Sequence, residues 1–221
     1  MQKKCYKEED FVPRIQQALG VTMPPYTCTI VDEKGMGKVM SRAGWNKSQA
    51  KGVVGFHLDD KVWVLQGAPW TTLHELIHRA GVNADRINRH LAEGLTELIA
   101  SALKKGNDEH RATYPSERKW TQNLLKKLGM NPLELGKLIA TSKNPPEIVA
   151  DLLIRKGVSK KDRRTLIKSL QPQVSNAPSL NRLGSATIKH SNVGFDFLTI
   201  FGIFLIGLGF ARFRINQPGD L

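Results

Sequence analysis

The sequence predicts a mixed α+β fold, and three observations carry that expectation. Residues 52–58 and 61–66 read as two short β-strands around an Asp59-Asp60 turn, the second alternating Val62 and Val64 with Trp63 and Leu65. A helical pattern with His and Glu at metal-ligand spacing follows directly, over residues 71–80. The later part of the chain then runs as a series of helices, residues 115–128, 132–141, 145–156 and 159–170, the first three each opened by a proline. Their Leu, Ile and Val residues form inner faces, and their basic residues form outer ones. Ahead of the strand pair, residues 11–19 suit a helix packing on the sheet and residues 26–31 a third strand. Residues 34–51, rich in Gly, Lys and Ser, read as a loop near the cleft, with Met36 and Trp45 covering the core.

The most informative string is His74-Glu75-Leu76-Ile77-His78. On a helix, positions four apart lie on one face about 5–6 Å from each other, so His74 and His78 can offer two imidazole nitrogens to one metal ion. Glu75 projects roughly 100° around the helix from His74, suited to take a proton from a metal-bound water. Thr71 or Thr72 can cap this helix, Leu73, Leu76, Ile77 and Ala80 give it an apolar face, and Gly81 ends it. A catalytic zinc needs a third protein ligand and an open fourth position. A second helix over residues 85–105, with Ile87, Leu91, Leu95, Leu98 and Ala102 as its buried stripe, carries Glu93 mid-length. Gly94 beside it costs about 1 kcal/mol of helix stability relative to Ala, which suits a close approach of the two metal-binding helices. Glu97, one turn on, is placed to accept the second ring N–H of one histidine.

These residues resemble the gluzincin metallopeptidases, in which HExxH on one helix is completed by a Glu from a later helix, often within an EGxxE string such as Glu93-Gly94-Leu95-Thr96-Glu97. The resemblance covers residues 71–97 strongly and extends weakly to Thr113-Tyr114-Pro115. It implies a zincin-like domain with His74, His78 and Glu93 as Zn2+ ligands, Glu75 as general base and Glu97 behind a histidine. Fourteen residues separate His78 from Glu93, a short spacing similar to that of the minimal members of the group; with the longer spacing, Glu97 becomes the ligand. HExxHxxG through Gly81 is also similar to the metzincins, but their third ligand falls at Ala84, which cannot bind metal. Tyr114 is the candidate oxyanion donor, in a Pro-ended loop beyond the metal helices. His90 and His110 are weaker candidates.

The expected organisation is a metallopeptidase domain over residues 1–170, a linker over 171–192 rich in Ser, Pro and Asn, an apolar helix over 193–213 and a tail over 214–221. Residues 197–211 carry no charge but span only about 22 Å as a helix, against a hydrocarbon core of about 30 Å. Extending the run to 193–213 makes it adequate, with Arg212 and Arg214 snorkelling at one interface. A buried core or assembly helix is the competing reading. Residues 1–10 are polar, without the apolar middle of a secretory signal, so a C-terminal anchor with a cytosolic catalytic domain is expected. Two cysteines, Cys5 and Cys28, are too few and too separated for a zinc knuckle or a disulfide framework, consistent with a reducing compartment.

The net charge is +13, and residues 104–168 hold 16 Lys and Arg against 7 Asp and Glu. This basic region reads as solvated helix faces, with apposition to anionic lipid next. Nothing resembling an aromatic stacking platform, a recognition helix or a phosphate-binding glycine loop favours nucleic acid or nucleotide. The expected function is a membrane-tethered zinc metallopeptidase acting on protein or peptide substrates. The alternative is a structural membrane or virion component that cleaves nothing.

Overall fold

Among the described residues, four strands build a single sheet: β1 (Thr27–Val31), β2 (Val53–Leu58), β3 (Lys61–Leu65) and β4 (Ser185–Ile188). The computed structural model describes residues 5–106, 108, 113–172 and 185–188. Strand order is β1-β3-β2-β4, with β1 parallel to β3 and both neighbours of β2 antiparallel to it. The β2–β3 hairpin turns at Asp59-Asp60, where Asp59 takes a left-handed φ of 51°. β2 is buried along almost its whole length, whereas β3 alternates, so Val62 and Val64 face the core while Trp63 and Leu65 are half-buried.

Among the described residues, nine α-helices surround the sheet. α1 (Glu8–Leu19) places Glu8, Glu9 and Asp10 in its first turn, where the helix dipole favours negative charge, and buries Phe11, Ile15 and Leu19 four residues apart. α4 (Thr71–Arg79) packs on β2 and β3, α5 (Arg89–Leu103) packs on α4, and α7 (Pro132–Thr141) closes the core against α1 and α5. α6 (Pro115–Leu128) lies along α5; α8 (Pro145–Arg155), a 3-10 turn (Lys160–Asp162) and α9 (Arg163–Leu170) complete the helical lobe. The prolines stand at first helical positions as expected, and Asn131 with Glu134 forms a reciprocal capping box on α7.

The mixed α+β class stands, with several corrections to the detail. Residues 34–51 are not a loop: α2 (Glu33–Arg42) and α3 (Lys47–Ala50) occupy them. Asp32 caps α2 through Gly35 N–H at 2.6 Å, and Met36 and Met40, one turn apart, bury against Trp45, Val53 and Phe56. That local cap and two-residue stripe outweigh the glycine content. The expected linker over 171–192 contains β4, whose pairing is made by backbone hydrogen bonds that need no apolar pattern. Thr71 is not a cap but the first residue of α4; its hydroxyl donates to Ala68 O at 2.9 Å. The helix that carries Glu93 starts later than residue 85, at Arg89, because Asn88 Oδ1 accepts the N–H of Leu91. The apolar segment 193–213 lies outside the described residues, among which no helix is long and apolar enough to cross a membrane.

Cys5 and Cys28, too separated in sequence to suggest a disulfide framework, form a disulfide. Sequence separation does not forbid pairing once the fold brings two Cα atoms to 5.7 Å. The disulfide pins the approach to α1 onto β1. Beside it, Lys7 Nζ and Arg14 Nη1 reach Asp108 at 3.0 and 2.8 Å, and Lys105 N–H donates to the same carboxylate at 3.0 Å.

Gly94 is where two helices approach most closely, but the partner is α6 rather than α4: a Cβ there would overlap the Glu117 carbonyl and the Thr121 hydroxyl. Gly94→Ala is therefore expected to destabilise the fold by roughly 1–3 kcal/mol in urea unfolding, as overpacking does. Burial pushes the Asp108 carboxyl up, but Arg14, the Lys105 N–H and Lys7 together hold it at about 2. Because the folded value lies below the ordinary carboxylate value of about 3.9, this stabilisation is present above that pH and is lost as pH falls toward 2. In acid titrations followed by circular dichroism, Asp108→Asn should lose roughly 1–3 kcal/mol at neutral pH and show a shallower decline between about pH 4 and 2.

Candidate metal centre

α4 begins immediately behind the sheet. Gly67, at φ 86°, turns the chain after β3, and the Thr71 hydroxyl ties the first helical turn to Ala68 O and, at 3.3 Å, to Val54 O. The helix buries its residues on every side: His74 is 1% exposed, Glu75 0% and His78 0%. Loop residues beyond it are bolted down, since Arg86 donates to Ala140 O at 2.6 Å and Asn88 N–H to Leu170 O at 2.8 Å. This fixes the start of α5 and hence the depth at which Glu93, 1% exposed, meets α4.

Three side-chain atoms converge. His74 Nε2 and His78 Nε2 lie 2.9 Å apart, and Glu93 Oε2 is 3.1 Å from the first and 3.2 Å from the second. The other ring nitrogens set the tautomers. His78 Nδ1 donates to Val82 O at 2.6 Å, a carbonyl that the Thr96 hydroxyl also contacts at 3.3 Å. His74 Nδ1 lies 3.0 Å from Glu97 Oε1, and Glu97 is held in turn by the Thr113 hydroxyl at 2.6 Å. With both Nδ1 atoms carrying hydrogen, two imidazole lone pairs and one carboxylate oxygen point at a common centre. A proton placed there bonds two of these atoms and leaves the third facing a lone pair; a metal ion satisfies all three. Ligands about 2.1 Å from a tetrahedral ion lie about 3.4 Å from each other, close to the triangle observed.

The three groups are also coupled electrostatically. Burial opposes charge on His74, yet hydrogen bonding to Glu93 and Glu97 pushes its pKa up to about 10. Burial likewise opposes a charged Glu93, but His78 and His74 hold its carboxyl far below the usual carboxylate range. A bound metal would take the place of the His74 proton that these carboxylates favour. His74, His78 and Glu93 form a buried group that can hold a metal ion.

Around this triad stand the remaining site residues. The Glu75 carboxylate lodges under β2 at Gly55, where a Cβ would come within 2.5 Å of Glu75 Oε1 and 3.0 Å of Thr71. Tyr114, at the start of α6, lays its ring over His74 with centroids 5.8 Å apart and planes at 23°. Burial and the neighbouring Glu93 charge push its phenol pKa well above 10, so at neutral pH it is an O–H donor. Glu97 sits behind His74 rather than in the triad. His90 is apart from the cluster, 3.7 Å from Glu117 and edge-on to Trp120, and His110 lies outside the described residues.

Several contributors escaped the sequence reading. Arg89 reaches Glu93 Oε1 at 3.5 Å from the helix mouth, and its spacing of four residues from Glu93 is a signal the sequence contained. Gly55 is a glycine inside a buried strand, a position that marks close approach by another group. Thr96 and Thr113 carry no such mark; only the folded loop and helix bring them to His78 and Glu97. Comparison with known protein families, curated proteins and solved structures finds no match.

A metal that binds the folded chain and not the unfolded one raises stability by about 2.7 kcal/mol at a hundredfold excess over Kd. In thermal melts, adding zinc(II) or cobalt(II) to metal-stripped protein should raise Tm by roughly 5–10 °C, with chelator reversing the gain. His74→Ala should abolish that response. A melt insensitive to both ions and to chelator would refute metal binding at the triad.

Proposed function

We propose that the chain is a zinc-dependent peptidase of gluzincin type, with His74, His78 and Glu93 as the Zn2+ ligands. The observation that carries this reading is the convergence of the two Nε2 atoms and Glu93 Oε2 within about 3 Å of one another, beside a fully buried Glu75. A strand edge, the His-Glu-His helix beneath it and a glutamate helix across it form an arrangement that suits a zincin-like domain. Imidazole with carboxylate is a ligand set that suits zinc, which supplies a Lewis acid able to acidify water and polarise a carbonyl.

The chain's own residues divide the remaining work. Glu75 accepts the proton of the attacking water and passes it to the leaving amine. Gly55 gives this carboxylate room that any side chain would fill. Tyr114, held neutral, donates its O–H toward the carbonyl oxygen as negative charge develops there. Val82 O fixes the His78 ring by accepting from Nδ1, and the Glu97 carboxylate stands 3.0 Å from His74 Nδ1. Arg89 steadies the second oxygen of Glu93.

The membrane tether over residues 193–213, the contact of the basic helices with anionic lipid, and a protein or peptide substrate belong to the same proposal. The Cys5–Cys28 disulfide favours an oxidising compartment for this domain over the cytosolic side expected from the sequence.

The deciding comparison pairs Glu75→Gln with the unaltered chain in a peptide-library digest. Glu75→Gln should keep one equivalent of metal and lose roughly 100- to 10,000-fold in hydrolysis rate, and chelator should abolish the unaltered chain's activity. Unchanged hydrolysis in Glu75→Gln refutes the mechanism.

A further inference from the structure

We propose that β4 is an internal occupant of the peptide-binding edge: Ser185–Ile188 holds the position on β2 that an extended peptide must take to reach the candidate metal centre. The inference rests on the peptidase reading and adds a self-restraint to it.

The register supplies the argument. β2 pairs with β3 along one edge, and its other edge carries β4, antiparallel, with Gly55 opposite Thr187, Phe56 opposite Ala186 and His57 opposite Ser185. Gly55 is the residue under which the Glu75 carboxylate lodges. The β4 backbone therefore crosses β2 at the level of the candidate base, and it also runs against α4. An extended peptide recruited by strand addition gains main-chain hydrogen bonds from a sheet edge, and the edge of β2 is the one adjoining Glu75.

Two further observations favour an exchangeable occupant over a permanent fourth strand. His74, Glu75, His78 and Glu93 are each at most 1% exposed, so a substrate needs something to move aside. β4 is four residues long, Ser-Ala-Thr-Ile, in a stretch of Ser, Asn and Pro without apolar alternation, and its pairing with β2 is irregular between Val53 and Gly55. So short a strand is held by few ladder bonds. A peptide of small and β-branched residues presented in trans would meet the same ladder, which identifies the chemical class this edge accepts.

The test uses the full chain, unaltered and as the double variant Ala186→Pro/Thr187→Pro. Successive strand N–H groups point to opposite edges, so one of the two prolines removes a bond to β2. The probe is a fluorescein-labelled peptide with the sequence of residues 183–190. It should bind the double variant at least tenfold more tightly than the unaltered chain, and the double variant should show severalfold faster chelator-sensitive cleavage of a peptide library. Equal peptide affinity for the two chains overturns the proposal. If the double variant gains affinity while neither chain cleaves, occupancy of the edge stands and the peptidase reading falls. If both chains cleave at one rate and bind the probe equally, the peptidase reading stands and the occupancy falls. Amide hydrogen exchange on the unaltered chain decides the matter should the double variant fail to fold. Excess unlabelled peptide should speed exchange at residues 185–188 at least tenfold while residues 53–58 stay protected; unchanged exchange at 185–188 overturns the proposal.

Discussion

The constraint on which the structure depends is the carboxylate of Glu93, buried against His74 and His78 where water cannot reach it. An isolated carboxylate in such surroundings is costly enough that it would take up a proton instead. Its charge persists only because cationic character is concentrated within about 3.2 Å of it, on the two imidazoles or on a metal between them. That requirement places α5 against α4 at one depth and one rotation. Asn88 caps α5 so that Glu93 falls there, the Arg86 and Asn88 bonds hold the preceding loop, and Thr96 and Val82 O turn the His78 ring edge toward the carboxylate. The second carboxylate, Glu97, extends the same logic outward, because Thr113 fixes it and Tyr114, the next residue, covers the His74 ring.

What the sequence made legible was periodic or local. His74 and His78 at four-residue spacing, the strand pair around Asp59-Asp60 and the proline-started helices are patterns within a dozen residues, and the folded chain places them as those patterns imply. Glu93 could be chosen over Glu97 only as one of two carboxylates on one helix face; the chain resolves the choice by setting Glu97 against His74 Nδ1, on the far side of the ring from the triad. The illegible features are those that depend on distant residues. Gly94 was understood as a close approach, yet its partner is α6, and a glycine does not say which neighbour it admits. The Cys5–Cys28 pairing follows from the docking of α1 beside β1, and β4 from backbone bonding in a segment whose side chains advertise nothing. Residues 33–42 were hidden by composition, since glycine and lysine masked a helix that needs only Asp32 as cap and two methionines as stripe.

The N-terminal arm has an influence out of proportion to its contacts. Asp108 gathers Lys7, Arg14 and the Lys105 N–H just before the chain returns at Thr113 and Tyr114. Arg14 also donates to Leu103 O at 2.7 Å, so the end of α5 and the approach to α6 are tied to α1 through one guanidinium. The disulfide holds the arm's other end to β1, which pairs with β3, the strand that leads into α4. The sheet side and the helix side of the triad are thereby braced by the same short segment.

A purely structural protein with this fold would find use for the triad, since a metal joining α4 to α5 cross-links the core. α4 also carries a carboxylate of its own, that of Glu75. That carboxylate takes no part in the triad, is fully buried, and occupies space that exists because β2 carries no side chain at Gly55. A glycine inside a strand and an ionisable group inside a core each cost stability, and an alanine facing a leucine would fill the same volume at lower cost. Two unfavourable choices that match in shape, one residue away from His74, are what the proposed general base would need beside a metal-bound water. That pairing of β2 with α4 is what the proposed peptidase reading requires.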